Sequence, residues 1–137
     1  MNRETNLAHV GALYGAFGSG DIPSMIGMLD PNIEWINPGP TDSEFGDYFG
    51  VKHGPDGVLG VFGFLAANVD ITAFEPHTFI ADDERVVALV KFAATAKATG
   101  KTYQQELVQV FEFGDDGKVT RFRDIQNSAV VVEALRG

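Results

Sequence analysis

The stretch "TGKTYQQELVQVFEFGDDGKVTRFRDI", Thr99 to Ile125, decides the fold. "TYQQELVQVFEF" is long, aromatic and β-branched, and "GDDGK" after it carries the Asp-Gly signal of a hairpin leading into "VTRFRDIQNS". On the first run Tyr103, Gln105, Leu107, Gln109, Phe111 and Phe113 share one face, the more apolar one, and Gln104, Glu106, Val108, Val110 and Glu112 the other. On the second run Val119, Arg121, Arg123, Ile125 and Asn127 alternate with Thr120, Phe122, Asp124 and Gln126. Neither of those sets is clean, so alternation leaves the inward face of the last strand open.

Upstream, "RVVALVKFAATAKA" alternates with Val86, Ala88, Val90, Phe92 and Ala94 on one side, and "DDE" separates it from "ITAFEPHTFIA". The second half therefore reads as an antiparallel meander. The first half is helical. Leu7, Val10, Tyr14 and Phe17 recur at helical spacing over about residues 3 to 18. Asp21 caps a short second helix with Pro23 in its first turn, and "DPN" stops it. "IEWIN" follows as a short strand with Ile33, Trp35 and Asn37 on one face. "PDGVLGVFGFLAANVD" resumes helical spacing through Val58, Val61, Phe62 and Leu65 despite internal glycines, each of which costs up to about 1 kcal/mol and so requires tertiary support. "AVVVEAL" closes the chain as a helical turn or a last strand. Helices first and strands afterwards give an α+β fold with the helices on one face of the sheet.

The 137 residues suit one domain, 1–137, with no repeat or linker. Ten basic against nineteen acidic residues leave a net charge of −9, which repels phosphate backbones and anionic membranes; nucleic acid and membrane are excluded as partners. No apolar run reaches the roughly 20 residues that span a bilayer. The absence of cysteine rules out disulfides and thiolate metal sites and, with no secretory signal at "MNRETNLAHV", points to the cytoplasm. No phosphate loop, dinucleotide fingerprint, Gly-x-Ser-x-Gly or zinc spacing occurs, so no cofactor and no metal are expected.

"LYGAFGSGDIPSMIGMLDPNIEWINP" resembles the opening of SnoaL-like polyketide cyclases and ketosteroid-isomerase-like proteins of the nuclear transport factor 2-like superfamily. "HGPDGVLGVFGFL" is similar to the start of that family's third helix, and the hairpin quoted first resembles its last two long strands. The likeness runs from about Leu7 to Leu135 and rests on the order of short motifs. It implies a cone: a curved antiparallel sheet wrapped by three N-terminal helices around an internal pocket, often dimeric through the outer sheet face. It also implies a hydrophobic small-molecule ligand of polyketide, steroid or terpenoid type. The fold hosts both enzymes and non-catalytic binders, so activity has to be argued from the site.

SnoaL-like cyclases carry a histidine on the penultimate long strand and an aspartate near the end of the last one. By element order these positions fall at Gln109 and Asn127; a one-residue slip brings Asp124 or Gln126 into the second. An amide donates and accepts hydrogen bonds but does not titrate, so Gln109 and Asn127 orient a substrate and cannot act as base. The titrating candidates are Asp124 and His53, the latter at the end of the acidic loop. Trp35, Tyr14, Phe17 and Phe111 are the candidate aromatic ligand contacts, and Arg123 a candidate for holding an anionic or carbonyl group. His9 reads as exposed on the first helix and His77 as an ordinary strand residue. The loop from Pro38 to Pro55, with Asp42, Glu44, Phe45, Asp47, Tyr48 and Phe49, is a lid, a solvated excursion or a dimer contact. Two functions compete: a cofactor-free isomerase or cyclase, and a binding domain without the acid–base pair.

Overall fold

The computed structural model describes residues 2–41 and 44–136; Asp42 of the acidic loop lies outside the described residues. The order of elements is α1 (Arg3–Gly18), α2 (Ile22–Gly27), β1 (Leu29–Asn37), β2 (Gly50–His53), α3 (Gly54–Asn68), β3 (Val69–Ala81), β4 (Arg85–Ala96), β5 (Thr102–Phe113), β6 (Val119–Ile125) and α4 (Ser128–Arg136). The strands form one curved, unclosed sheet in the order β2-β1-β6-β5-β4-β3. All neighbours are antiparallel except β1 and β6, which run parallel. This is the α+β cone expected of the sequence, with a fourth helix added: "AVVVEAL" is helical, with Val131 and Ala134 buried.

Local chemistry sets the element ends. Asn2 caps α1 by accepting from the Thr5 N–H at 2.8 Å, and Asp21 caps α2 by accepting from the Ser24 N–H at 3.2 Å. Gly117 turns the β5–β6 hairpin at a φ of 81°, a conformation that costs other residues steric strain. α1 buries Val10 and Leu13 against the sheet, together with Asn6. The Asn6 amide donates to the backbone carbonyls of Asp82 and Asp83, fastening the start of α1 to the β3–β4 turn. β4 alternates cleanly, burying Val86, Ala88, Val90, Phe92, Ala94 and Ala96. Register shifts in β3 at Ile71/Ala73 and Pro76/Thr78 bend that strand and help curve the sheet around the helices.

Three expectations change. β1 begins at Leu29, ahead of "IEWIN", because a register shift between Leu29 and Glu34 absorbs Pro31. Pro38 to Pro55 is no featureless loop: β2 lies inside it, and Phe45, Tyr48 and Phe49 are buried. The Tyr48 ring stacks on Phe64 of α3, with centroids 5.4 Å apart and planes 15° apart. Arg136 of α4 sits 5.3 Å over the Phe45 ring and pairs with Glu44, which joins this segment to the last helix. Lastly, His9 is half-buried against Phe113, with Nδ1 out of contact with solvent.

The last strand owes its mixed pattern to a bulge. Val119 opposes Phe113 while Arg121 opposes Glu112, so Thr120 is an extra residue, and its hydroxyl donates to the Glu112 carbonyl. Val119 and Phe122 therefore both face the interior, 1% and 2% exposed. Beyond the bulge Phe122 and Asp124 point into the cone, while Arg121 and Arg123 lie on the outer face.

Candidate functional site

The concave face of the sheet and helices α1 to α3 surround a cavity with about 70 Å³ of free space. Rings make most of its wall. α1 contributes Tyr14 and Phe17, α3 Phe62, and the strands Trp35, Phe74, Phe92, Phe111 and Phe122. They interlock: Trp35 and Phe122 lie 4.0 Å apart between centroids, Phe111 and Phe122 5.0 Å, and Tyr14 meets Phe111 edge-on at 5.8 Å. The lining is mostly apolar, the chemistry of a site for an apolar molecule.

Polar groups interrupt this wall at two places. The first comes from the β5–β6 ladder, where Gln109 and Asp124 are directly paired and both reach the cavity. The Tyr14 hydroxyl donates to Gln109 Oε1 at 2.7 Å, which leaves the Gln109 NH₂ as the donor end of that amide. Asp124 Oδ1 is shut off from solvent and has no hydrogen-bond partner. A buried carboxylate with an unpaired oxygen is costly, and burial pushes the Asp124 pKa up to about 7, the hydrogen bond from the Gln109 side chain pulling part of the way back. Asp124 thus titrates near neutrality, where a general acid or base works best.

Asp124 is felt across the cavity. The phenols of Tyr14, Tyr48 and Tyr103 are all raised, first by burial and then by the Asp124 charge, Tyr103 to about 12. These are the chain's three tyrosines. All three remain hydrogen-bond donors at any working pH.

The second polar place is a network of Asn37, Tyr48, Gln105 and Gln126. Asn37 Nδ2 donates to the Tyr48 carbonyl at 3.0 Å, and Asn37 Oδ1 accepts from Gln126 Nε2. Gln126 Nε2 also donates to the Tyr48 hydroxyl at 3.0 Å, and Gln126 Oε1 accepts from Gln105 Nε2 at 3.3 Å. Only Tyr48 of this group reaches the cavity wall. Sequence reasoning placed no function on Asn37, whose signal was its shared parity with Trp35, and read Tyr48 only within a loop that was a lid, a solvated excursion or a dimer contact; its burial rests on Phe64 and on the fold of the segment from residue 44 to 49.

The structure brings Asp124, Gln109, Tyr14, Phe17, Trp35 and Phe111 to one cavity. It does not bring His53, Asn127 or Arg123 there. His53 ends the edge strand β2 and is exposed, preceding α3 without capping it by its side chain. Asn127 lies past the end of β6 with its side chain exposed, and its backbone N–H donates to Gln105 Oε1 at 2.7 Å. The alignment slip is physical: three residues earlier than expected the inward position on β6 is Asp124. Arg123 is turned outward by the same parity and sits 3.9 Å from Glu112. There it joins Arg85 and Arg121 around one carboxylate on the outer face.

The family model of SnoaL-like domains matches residues 10–122. Among solved structures, an NTF2-like protein from Burkholderia pseudomallei K96243 is 27% identical, with 97% of this chain and 98% of that one covered at a TM-score of 0.86. An NTF2-like protein from Burkholderia xenovorans LB400 is 25% identical over 98% of both chains, at a TM-score of 0.84. TerC, co-crystallised with polyporic acid, is 24% identical over 97% of this chain and 99% of that one, at a TM-score of 0.81, a likeness of fold alone. No curated protein matches the chain.

Proposed function

The chain belongs to the SnoaL-like domain family, and we propose that it binds a flat, hydrophobic small molecule in the cone and moves a proton on it without a cofactor. The carrying observation is Asp124: a carboxylate in an aromatic cavity, with one oxygen unpartnered and a pKa near 7. Ionised, it removes a proton from the carbon next to a carbonyl, leaving an enolate; protonated, it returns that proton to the α-carbon or, where the enolate is conjugated with an alkene, to the γ-carbon. Gln109 and Tyr14 are the neutral donors that orient the substrate oxygen, in keeping with the cyclase and isomerase chemistry of the family.

A second reading is favoured by Gln109. Where the family resemblance expects a histidine on the penultimate strand there is an amide, already engaged by Tyr14. A pocket that binds a polyketide, steroid or terpenoid and does not react would need nothing more.

Hydrogen–deuterium exchange separates the two. A bicyclic aryl ketone such as 2-tetralone is incubated in D₂O with the protein and followed by proton NMR. Proton transfer predicts exchange at the α-carbon well above the rate with Asp124→Asn, rising with pH to a plateau above about 7. Binding with equal exchange in both proteins overturns catalysis and leaves the binder.

The outer sheet face is our candidate for a homodimer contact. Ile80, Val87, Leu89, Val108, Val110 and Ile125 form a contiguous cross-strand apolar patch there. Its margin carries the Arg85, Arg121 and Glu112 charges. Sedimentation of the wild type against Leu89→Glu tests it: a dimer that dissociates in the variant supports the contact, and a wild-type monomer overturns it.

A further inference from the structure

Among the described cavity-lining residues there is one ionisable acid, Asp124, and no lysine, arginine or histidine. The other groups that sense Asp124 are neutral: Gln109 on β5, Tyr14 on α1, Tyr48, and Tyr103 on β5. The two cations of its own strand are held on the opposite face, Arg121 by Glu34 at 2.8 Å and Arg123 near Glu112. The protein thus builds a buried negative charge and supplies no positive one. The same cavity is lined by Trp35, Phe111 and Phe122, with ring centroids 4.0 Å apart for Trp35 and Phe122 and 5.0 Å for Phe111 and Phe122. A desolvated carboxylate beside clustered aromatic rings is the environment that attracts organic ammonium groups, through direct ion pairing and through the ring quadrupoles.

We propose that the cavity takes an organic cation: a flat apolar body bearing a protonated or quaternary nitrogen, which is held by the Asp124 carboxylate and the rings of Trp35, Phe111 and Phe122. The inference rests on the reading of this cavity as the ligand site and deepens it by naming the ligand's charge. The ionised Asp124 that acts as base is at the same time the counter-ion of the nitrogen. Carboxylate ligands are rejected, since two like charges in this cavity would have no cation between them. Binding also takes up no proton. Near pH 6, where Asp124 is largely protonated in the free protein, an ammonium ligand displaces that proton to solvent.

The test uses one skeleton in three charge states: 2-naphthylmethylammonium, 2-naphthalenemethanol and 2-naphthoate. Binding to the whole protein is followed by the fluorescence of Trp35, its single tryptophan. At about pH 8 the ammonium compound binds at least about tenfold tighter than the alcohol, and the naphthoate more weakly than either. In Asp124→Asn the ammonium loses at least about tenfold while the alcohol changes by less than about threefold. Calorimetry near pH 6 in buffers of different ionisation enthalpy shows proton release for the ammonium alone. Naphthoate binding as tightly as the ammonium, or an ammonium affinity unchanged in Asp124→Asn, overturns the cation proposal while leaving a ligand site. If none of the three perturbs Trp35, the reading of the cavity as a ligand site falls, and this proposal falls with it.

Discussion

The Tyr14 hydroxyl, carried by the first helix, donates to Gln109 Oε1 on the fifth strand across 2.7 Å and 95 positions of sequence. That bond decides how Gln109 faces Asp124. With its oxygen taken, the amide can offer only its NH₂ to the carboxylate, so Tyr14 acts on Asp124 through Gln109.

Tyr14→Phe should therefore leave Gln109 Oε1 without its donor in a buried setting. We expect a loss of about 1–3 kcal/mol in urea denaturation and an upward move of the Asp124 titration, read by carbon NMR of its carboxyl. Unchanged titration with normal stability would show that the amide orients itself unaided.

Stability should depend on pH through Asp124. Its folded pKa, about 7, stands above the ordinary 3.8, so the folded state binds the proton more tightly than the unfolded one. The stabilisation is complete below about pH 4 and is lost as pH rises through about 7, by an amount on the order of 4 kcal/mol before relaxation of the site. Asp124→Asn removes that dependence. Denaturation midpoints at about pH 5 and pH 8 for both proteins measure it; an equal slope in the two would sink the assignment.

Trp35→Ala should be costly twice over. It opens a void beside Phe122 and Phe62, destabilising by about 3–5 kcal/mol, and it removes the flat wall against which a ligand lies. Trp35→Phe is the control that keeps an aromatic surface. Ligand affinity should fall in both variants, more in the alanine one, as read by calorimetry.

His53→Ala, Asn127→Ala and Arg123→Ala should leave ligand affinity and proton exchange within about threefold and stability within about 0.5 kcal/mol, because none of the three side chains reaches the cavity. A large loss from any one of them would relocate the site.

Gly39→Ala tests the packing of the segment after β1. A methyl group there would lie 2.2 Å from Phe49 Cδ1, and Phe49 is fully buried. A destabilisation of about 1–3 kcal/mol is expected in thermal or urea melts.

The helices and the four long strands were legible because their apolar residues recur at 3.6 or 2 positions, with turn residues between them. Trp35, Tyr14 and Phe17 were named as ligand contacts on the family resemblance, and Phe111 lies on the more apolar face of β5. The inward face of β6 could not. Thr120 inserts one residue with no sequence signature, and that insertion makes Val119 and Phe122, of opposite parity, neighbours in the core. Asn127 was favoured over Asp124 by position alone, and position is what a short, degenerate motif specifies least well. For Tyr48, a stretch rich in Gly, Pro and acid left a lid, a solvated excursion and a dimer contact all open, and its contacts with Phe49 and Phe64 are packing that composition does not encode.

The parallel pairing of β1 with β6 sets the timing of the cavity's assembly. Glu34 and Arg121 bond across 87 positions, and the Trp35–Phe122 contact lies in the same ladder. A nascent chain can form α1, α2 and the β3–β4 hairpin early, but Trp35 waits without its partner until the sixth strand has left the ribosome. Closing so long a loop is entropically late and slow. Through that interval Trp35 lacks the Phe122 ring that lies 4.0 Å from it in the folded chain, so the aromatic wall is incomplete until the last strand is in place.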